Sequence, residues 1–126
     1  MWPIQVIPLT QKAVSQLCSQ TDHSWDGVKY SVYPSGQPEI TVLKIKIPPH
    51  TILPWHTHPM PNAAYIVSGT LEVEDKNGLR KTLHPGDVLA EMVNTAHRGI
   101  THNQAVEIIV FYAGVTGMPT ARPVLN

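Results

Sequence analysis

The feature that most constrains this chain is a period of two in its apolar residues. Leu43, Ile45 and Ile47 alternate with Lys44 and Lys46, and Val28, Tyr30 and Val32 alternate with Lys29 and Ser31. Successive side chains of an extended chain point to opposite faces, so each run reads as a strand with one face buried and the other solvated. Further strands are predicted over 62–67, 70–74, 79–83, 87–92, 97–101 and 106–112. Between them lie the turn sequences Pro34-Ser35-Gly36, Ser68-Gly69, Asp75-Lys76-Asn77-Gly78 and Pro85-Gly86, of which Asn77-Gly78 is the strongest hairpin signal. Many short strands at close intervals predict an all-β sandwich or barrel. Only 10–19 departs from this pattern: Ala13, Val14 and Leu17 at helical spacing, with Thr10 as a cap, predict a short helix. The last stretch, 117–126, has no period and is expected to run extended over the surface or onto a partner.

A chain of 126 residues with 42% hydrophobic content is the size of one domain and can enclose a core of its own. No repeat or linker divides it. Nine basic and nine acidic residues balance, which argues against electrostatic capture of nucleic acid or of an anionic membrane. The single cysteine, Cys18, leaves no internal disulfide, suits a reducing compartment and is expected to be a small buried residue. With no basic leader or long apolar run near its start, the chain is expected to be cytoplasmic.

The chemistry concentrates in His56-Thr57-His58, with His97 as a third partner. Residues two apart on a strand share a face and lie about 7 Å apart, close enough to converge on one ion at bonds of about 2 Å. Alone, such a pair is equally compatible with two solvated imidazoles on a strand edge. Pro54 precedes it, Pro59 and Pro61 follow, Gly69 ends the run Ala63-Ala64-Tyr65-Ile66-Val67, and His97 lies eleven residues beyond Gly86.

These residues resemble the two motifs of the cupin family over roughly 28–114. His56, His58 and Gly69 match the first, G-x5-H-x-H-x3,4-E-x6-G, while Gly86 and His97 match the second, G-x5-P-x-G-x2-H-x3-N. His50 stands where the first Gly is expected, Asn62 replaces the Glu, and Met92, Asn94 and Thr101 replace Pro, Gly and Asn. The resemblance implies a jelly-roll barrel of two antiparallel sheets with the metal inside, an extension over 1–27, a tail over 115–126, and a homodimer paired through its sheets. Apolar residues on both faces of VEIIVFYAG fit a strand covered on each side.

It also implies His56, His58 and His97 as ligands of one divalent transition metal, iron first and zinc or nickel as alternatives. Asn62 is either a further weak ligand or a hydrogen-bonding group. Because Asn62 stands where the family's Glu supplies the one anionic ligand, the ion is expected to be held by three neutral ligands and to keep its full charge, which resembles the three-histidine iron centres of thiol and β-diketone dioxygenases. The expected activity is therefore an Fe(II)-dependent dioxygenase acting on a small anionic or chelating substrate. A zinc or nickel isomerase, cyclase or lyase needs the same histidines, and a non-catalytic small-molecule binder is the answer from a different class. Asn62, Ala64 and Ile66 are expected to share the inward face and meet the substrate, with Met60 and Trp55 near the mouth. Glu91, Glu107 and Tyr65 are the candidate catalytic groups, and Tyr112 and Thr101 could supply hydroxyls. His23, His50, His84 and His102 lack ligand spacing. No phosphate-binding glycine loop and no Gly-x-Ser-x-Gly elbow occurs.

Overall fold

The computed structural model describes residues 13–125. Nine strands follow in order: β1 (Pro38–Ile47), β2 (His56–Thr57), β3 (Asn62–Ser68), β4 (Leu71–Asp75), β5 (Arg80–Leu83), β6 (Val88–Ala90), β7 (His97–Ile100), β8 (Val106–Val115) and β9 (Arg122–Pro123). They form two antiparallel sheets, one ordered β1-β8-β3-β6 and the other β5-β4-β7-β2-β9.

Period-two patterning decides which face of each strand turns inward. In β8, Val106, Ile108, Val110 and Tyr112 are buried while Ile109 and Phe111 are exposed. In β3, Asn62, Ala64 and Ile66 are buried while Tyr65 and Val67 are exposed. These inward residues meet Leu71 and Val73 of β4, Leu83 of β5 and Leu89 of β6 in one core between the sheets. The outward residues of β8 and β3, with Ile40 and Val42 of β1, leave the outer face of the four-stranded sheet apolar and exposed. Within one chain, then, β8 is covered on a single face.

The turns bear out the chemistry of their residues. Gly69 has φ +79°, and a Cβ there would lie 2.2 Å from the Ala105 carbonyl oxygen, so the β3–β4 turn admits only glycine. Two departures from the family motif preserve the same backbone geometry: His50 and Asn94, standing where glycines are expected, have φ values of 53° and 57°. Histidine and asparagine are among the residue types that tolerate this region. Thr101, in the motif's Asn position, receives the Thr51 amide at 3.0 Å and donates to the Pro48 carbonyl at 2.5 Å, closing the loop that leads to β2.

Three expectations are corrected. No helix occurs among the described residues: 13–18 alternate half-buried and exposed with period two, the signature of an extended segment, and 10–12 lie outside the described residues. Val14 and Ser15 have weak intrinsic helix preference, and side-on contact with the body of the protein overrides a three-residue apolar spacing. Cys18 is exposed on that segment. Val28 and Val32 are also exposed, at 62% and 77%, and the predicted strand there reduces to one bridge between His23 and Lys29.

Candidate metal centre

β2 is short for a covalent reason. Pro54 before it and Pro59 and Pro61 after it cannot donate to a ladder, so pairing is confined to the His-Thr dipeptide. That dipeptide is held on both sides, with His56 opposite His97 of β7 and also opposite Pro123 of β9. Directly opposed residues carry their side chains on one face. The His56 and His97 rings accordingly lie 4.5 Å apart, and His58 lies 4.9 Å from each. His97 and His58 are buried, at 1% and 5% exposure, and His56 is half-buried.

A carboxylate joins them. Extending the β3–β6 register by one residue beyond Ala63 and Ala90 sets Glu91 opposite Asn62, and the Glu91 amide donates to the Asn62 carbonyl at 2.9 Å. Glu91 is 8% exposed, and its Oε2 lies 3.0 Å from His97 Nε2 and 3.5 Å from His58 Nε2. One ligand atom from each of His56, His58, Glu91 and His97 falls within 4.8 Å of the others. The premise that the Asn62 position leaves the site without an anionic ligand is thereby corrected: the carboxylate comes from the neighbouring strand.

The imidazoles share one orientation. Nδ1 of His56 donates to the Pro54 carbonyl at 2.9 Å, that of His58 to Thr120 at 2.8 Å and that of His97 to Thr95 at 2.8 Å. A carbonyl only accepts, so each Nδ1 carries a proton and each ring turns its Nε2 toward the centre, where a lone pair would be offered to an ion. His97 Nε2 is buried with no hydrogen-bond partner, although Glu91 Oε2 lies 3.0 Å away. An orphaned ring nitrogen, two more aimed at the same point and a carboxylate beside them form a donor set that fits a divalent transition metal.

The electrostatics agree. Burial pushes Glu91 upward, but the adjacent His58 and His97 imidazoles outweigh it and leave the carboxyl at about 2. Burial would lower His97, yet the Glu91 carboxylate raises it above its ordinary value. Burial lowers His56 despite its bond to Pro54, with His97 and His58 adding to the effect.

A cavity of about 90 Å³ opens onto the cluster. Its lining includes all four residues, Asn62, Ala64 and Tyr112, and the aliphatic side chains of Ile45, Leu53 and Val110. Burial, and secondarily Glu91, raises the Tyr112 phenol, whose ring centroid lies 5.8 Å from that of His58. Of the residues expected to meet a substrate, Asn62 and Ala64 line the cavity, whereas Ile66 and Met60 are packed in the core. Trp55 faces away, stacked between Arg98 at 4.2 Å and Lys76 at 5.4 Å. Among the catalytic candidates only Glu91 reaches the centre; Glu107 pairs with Lys44 at 2.9 Å and Tyr65 is 42% exposed, both on strand faces turned outward. His23, His50, His84 and His102 lie outside the cluster.

Sequence reasoning missed three supports. Trp25 Nε1 donates to Glu91 Oε1 at 3.2 Å, leaving Oε2 to the histidines. The Tyr30 hydroxyl donates to the Glu91 carbonyl at 2.7 Å; burial first, then Glu91 and Asp26, push that phenol to about 12. Thr120 orients His58 because the tail pairs with β2 of its own chain through β9. The parity of Leu89 and Glu91 was a usable signal for the carboxylate; the three supports are long-range contacts with no local signature.

Two antiparallel sheets enclose three histidines and a glutamate that could together hold a metal ion. The cupin domain model matches residues 43–112, more than half of the chain, and the protein belongs to that family. Among solved structures it is similar to the DMSP lyase DddQ from Ruegeria pomeroyi DSS-3, with TM-score 0.61 and 19% identity over 68% of this chain and 43% of that one. It is also similar to the polyketide cyclase RemF from Streptomyces resistomycificus, with TM-score 0.60 and 17% identity over 72% of this chain and 63% of that one. An uncharacterized protein with a double-stranded beta-helix domain from Klebsiella pneumoniae gives TM-score 0.58 and 19% identity, covering 75% of this chain and 91% of that one. At these identities the likeness is one of fold, and the chain spans less than two thirds of the lyase and of the cyclase. No curated protein matches the sequence.

Proposed function

We propose that the protein is a metal-dependent enzyme that performs non-redox chemistry, an elimination, isomerisation or ring closure, on a small substrate bearing an oxygen donor. The observation that carries this reading is Glu91 among the three imidazoles. The case for a dioxygenase rested on three neutral ligands, and a buried carboxylate held ionised removes that distinction. The fold shared with a lyase and a cyclase is consistent with it.

His56, His58 and His97 would hold the ion through Nε2 and Glu91 through Oε2. Bound there, a divalent ion such as zinc, nickel or iron would polarise a substrate oxygen or acidify a coordinated water. Glu91 offsets one unit of its charge. Tyr112, its pKa raised, keeps its phenolic proton at neutral pH and offers it to a substrate atom beside His58. Ile45, Leu53 and Val110 give the cavity an apolar wall that excludes water from the reacting atoms.

The test is to strip the protein with chelator, reload it separately with Zn(II), Ni(II) and Fe(II), and follow a panel of small hydroxy- and β-substituted acids by NMR, in parallel under anaerobic conditions and in air-saturated buffer with an oxygen electrode. Metal-dependent turnover without dioxygen supports the reading. Turnover only with Fe(II) and stoichiometric oxygen consumption overturns it in favour of the dioxygenase.

A further inference from the structure

Asn62 is a buried polar side chain at the centre that is not one of the four candidate ligands. It is 4% exposed and lines the same cavity as His56, His58, Glu91 and His97. Its Nδ2 donates to the Met60 carbonyl at 3.1 Å, which fixes which end of the amide is the oxygen. Oδ1 has no partner among the described residues, although it is fully shielded from solvent.

Its neighbours cannot satisfy it. Asn62 stands in a row across three strands, with Tyr112 opposite on β8 and Glu91 opposite at the end of β6. Directly opposed residues hold their Cβ atoms about 4.5–5.5 Å apart on one face, so the amide sits beside the carboxylate and the phenol. Glu91 makes no bond to Oδ1. Tyr112 carries a donor but does not bond Oδ1. A buried acceptor left unpaired is unfavourable, so the site has an unfilled demand for an N–H or O–H group beside the metal position.

We propose that Asn62 selects the ligand: the cavity takes a small, largely aliphatic molecule that carries a hydroxyl or amine donor next to its metal-binding oxygen, with Asn62 Oδ1 accepting from that donor. The inference rests on the metal-enzyme reading above and narrows its substrate class to compounds of the hydroxy-acid or amino-acid type. The aliphatic lining sets the character of the remainder, and the cavity volume of about 90 Å³ keeps it small. A divalent ion held by three imidazoles and the Glu91 carboxylate would keep one net positive charge, which a single substrate carboxylate would neutralise.

The experiment uses the full chain loaded with Co(II), whose visible spectrum reports ligand binding, and three acids: lactate, 2-methoxypropanoate and propanoate. The methyl ether keeps lactate's carboxylate and second oxygen but has no donor. Lactate is expected to bind about tenfold tighter than the ether, and Asn62→Leu to reduce that ratio to near one while leaving Co(II) affinity within about threefold of the parent. The two comparisons are independent, so the parent protein alone decides the matter if the variant does not fold. Equal binding of lactate and its ether by the parent, or absence of lactate binding, overturns the selection by Asn62 and leaves the metal site intact. A tenfold loss of Co(II) affinity in Asn62→Leu overturns it by making Asn62 a ligand of the ion. Failure of the parent to bind Co(II) at all overturns both this inference and the proposed function.

Discussion

Glu91 stands directly across the β3–β6 strand pair from Asn62, its amide bonded to the Asn62 carbonyl at 2.9 Å. A carboxylate missing at one position of the motif is thus present one strand away on the same face. The exchange keeps an anion among the imidazoles and frees position 62 for an amide.

Glu91→Gln preserves shape and removes charge. Metal affinity is expected to fall about 100-fold or more, beyond the 10–100-fold typical of groups behind the ligands. In metal-free protein the same change removes the carboxylate that raises His97, so burial dominates and that imidazole titrates lower, which NMR of the ring protons reads directly.

Trp25 holds the far oxygen of Glu91 from a segment remote in sequence. Trp25→Phe keeps the packing and deletes the donor. Metal affinity is expected to fall about tenfold, measured by competition with a chromophoric chelator, with the thermal midpoint of the metal-free protein nearly unchanged.

Removing residues 119–126 deletes the Thr120 carbonyl and β9 while leaving the core untouched. Freed of its acceptor, His58 can flip or change tautomer. The truncated chain is expected to fold and to lose at least about tenfold in metal affinity by the same competition assay.

Two pH effects follow from the shifted groups. Glu91 drops from 4.5 to about 2 on folding, so its contribution to stability is fully present above 4.5 and is lost as the pH falls toward 2. Chemical denaturation of chelator-treated protein should show that acid limb, and Glu91→Gln should flatten it. His97, raised above 6.5, must shed its proton to become a ligand, so metal affinity should climb with pH through 6.5 and level off only above its elevated value.

The strands of the two sheets were legible because one face of each is buried: in β8 the alternation of Val106, Ile108, Val110 and Tyr112 with exposed Ile109 and Phe111 is visible in the residues themselves. His56, His58 and His97 were legible because a short strand and a motif spacing carry them. Glu91 was hidden by register, since only the pairing of Ala63 with Ala90 shows that the carboxylate faces Asn62. The extended segment before Cys18 and the return of the tail onto β2 depend on contacts more than sixty residues apart in one case, His58 to Thr120, and no local pattern encodes them. Val28, Tyr30 and Val32 alternate like a strand but lack a sheet neighbour beyond one bridge, so their alternation was not matched by burial.

The most direct test of the account is elemental mass spectrometry on protein prepared without chelators or an affinity tag, beside His58→Ala and Glu91→Gln. The account expects close to one transition-metal ion per chain in the parent and a large loss in both variants. Metal absent from the parent, even after anaerobic addition of Fe(II), Zn(II) and Ni(II), would contradict it.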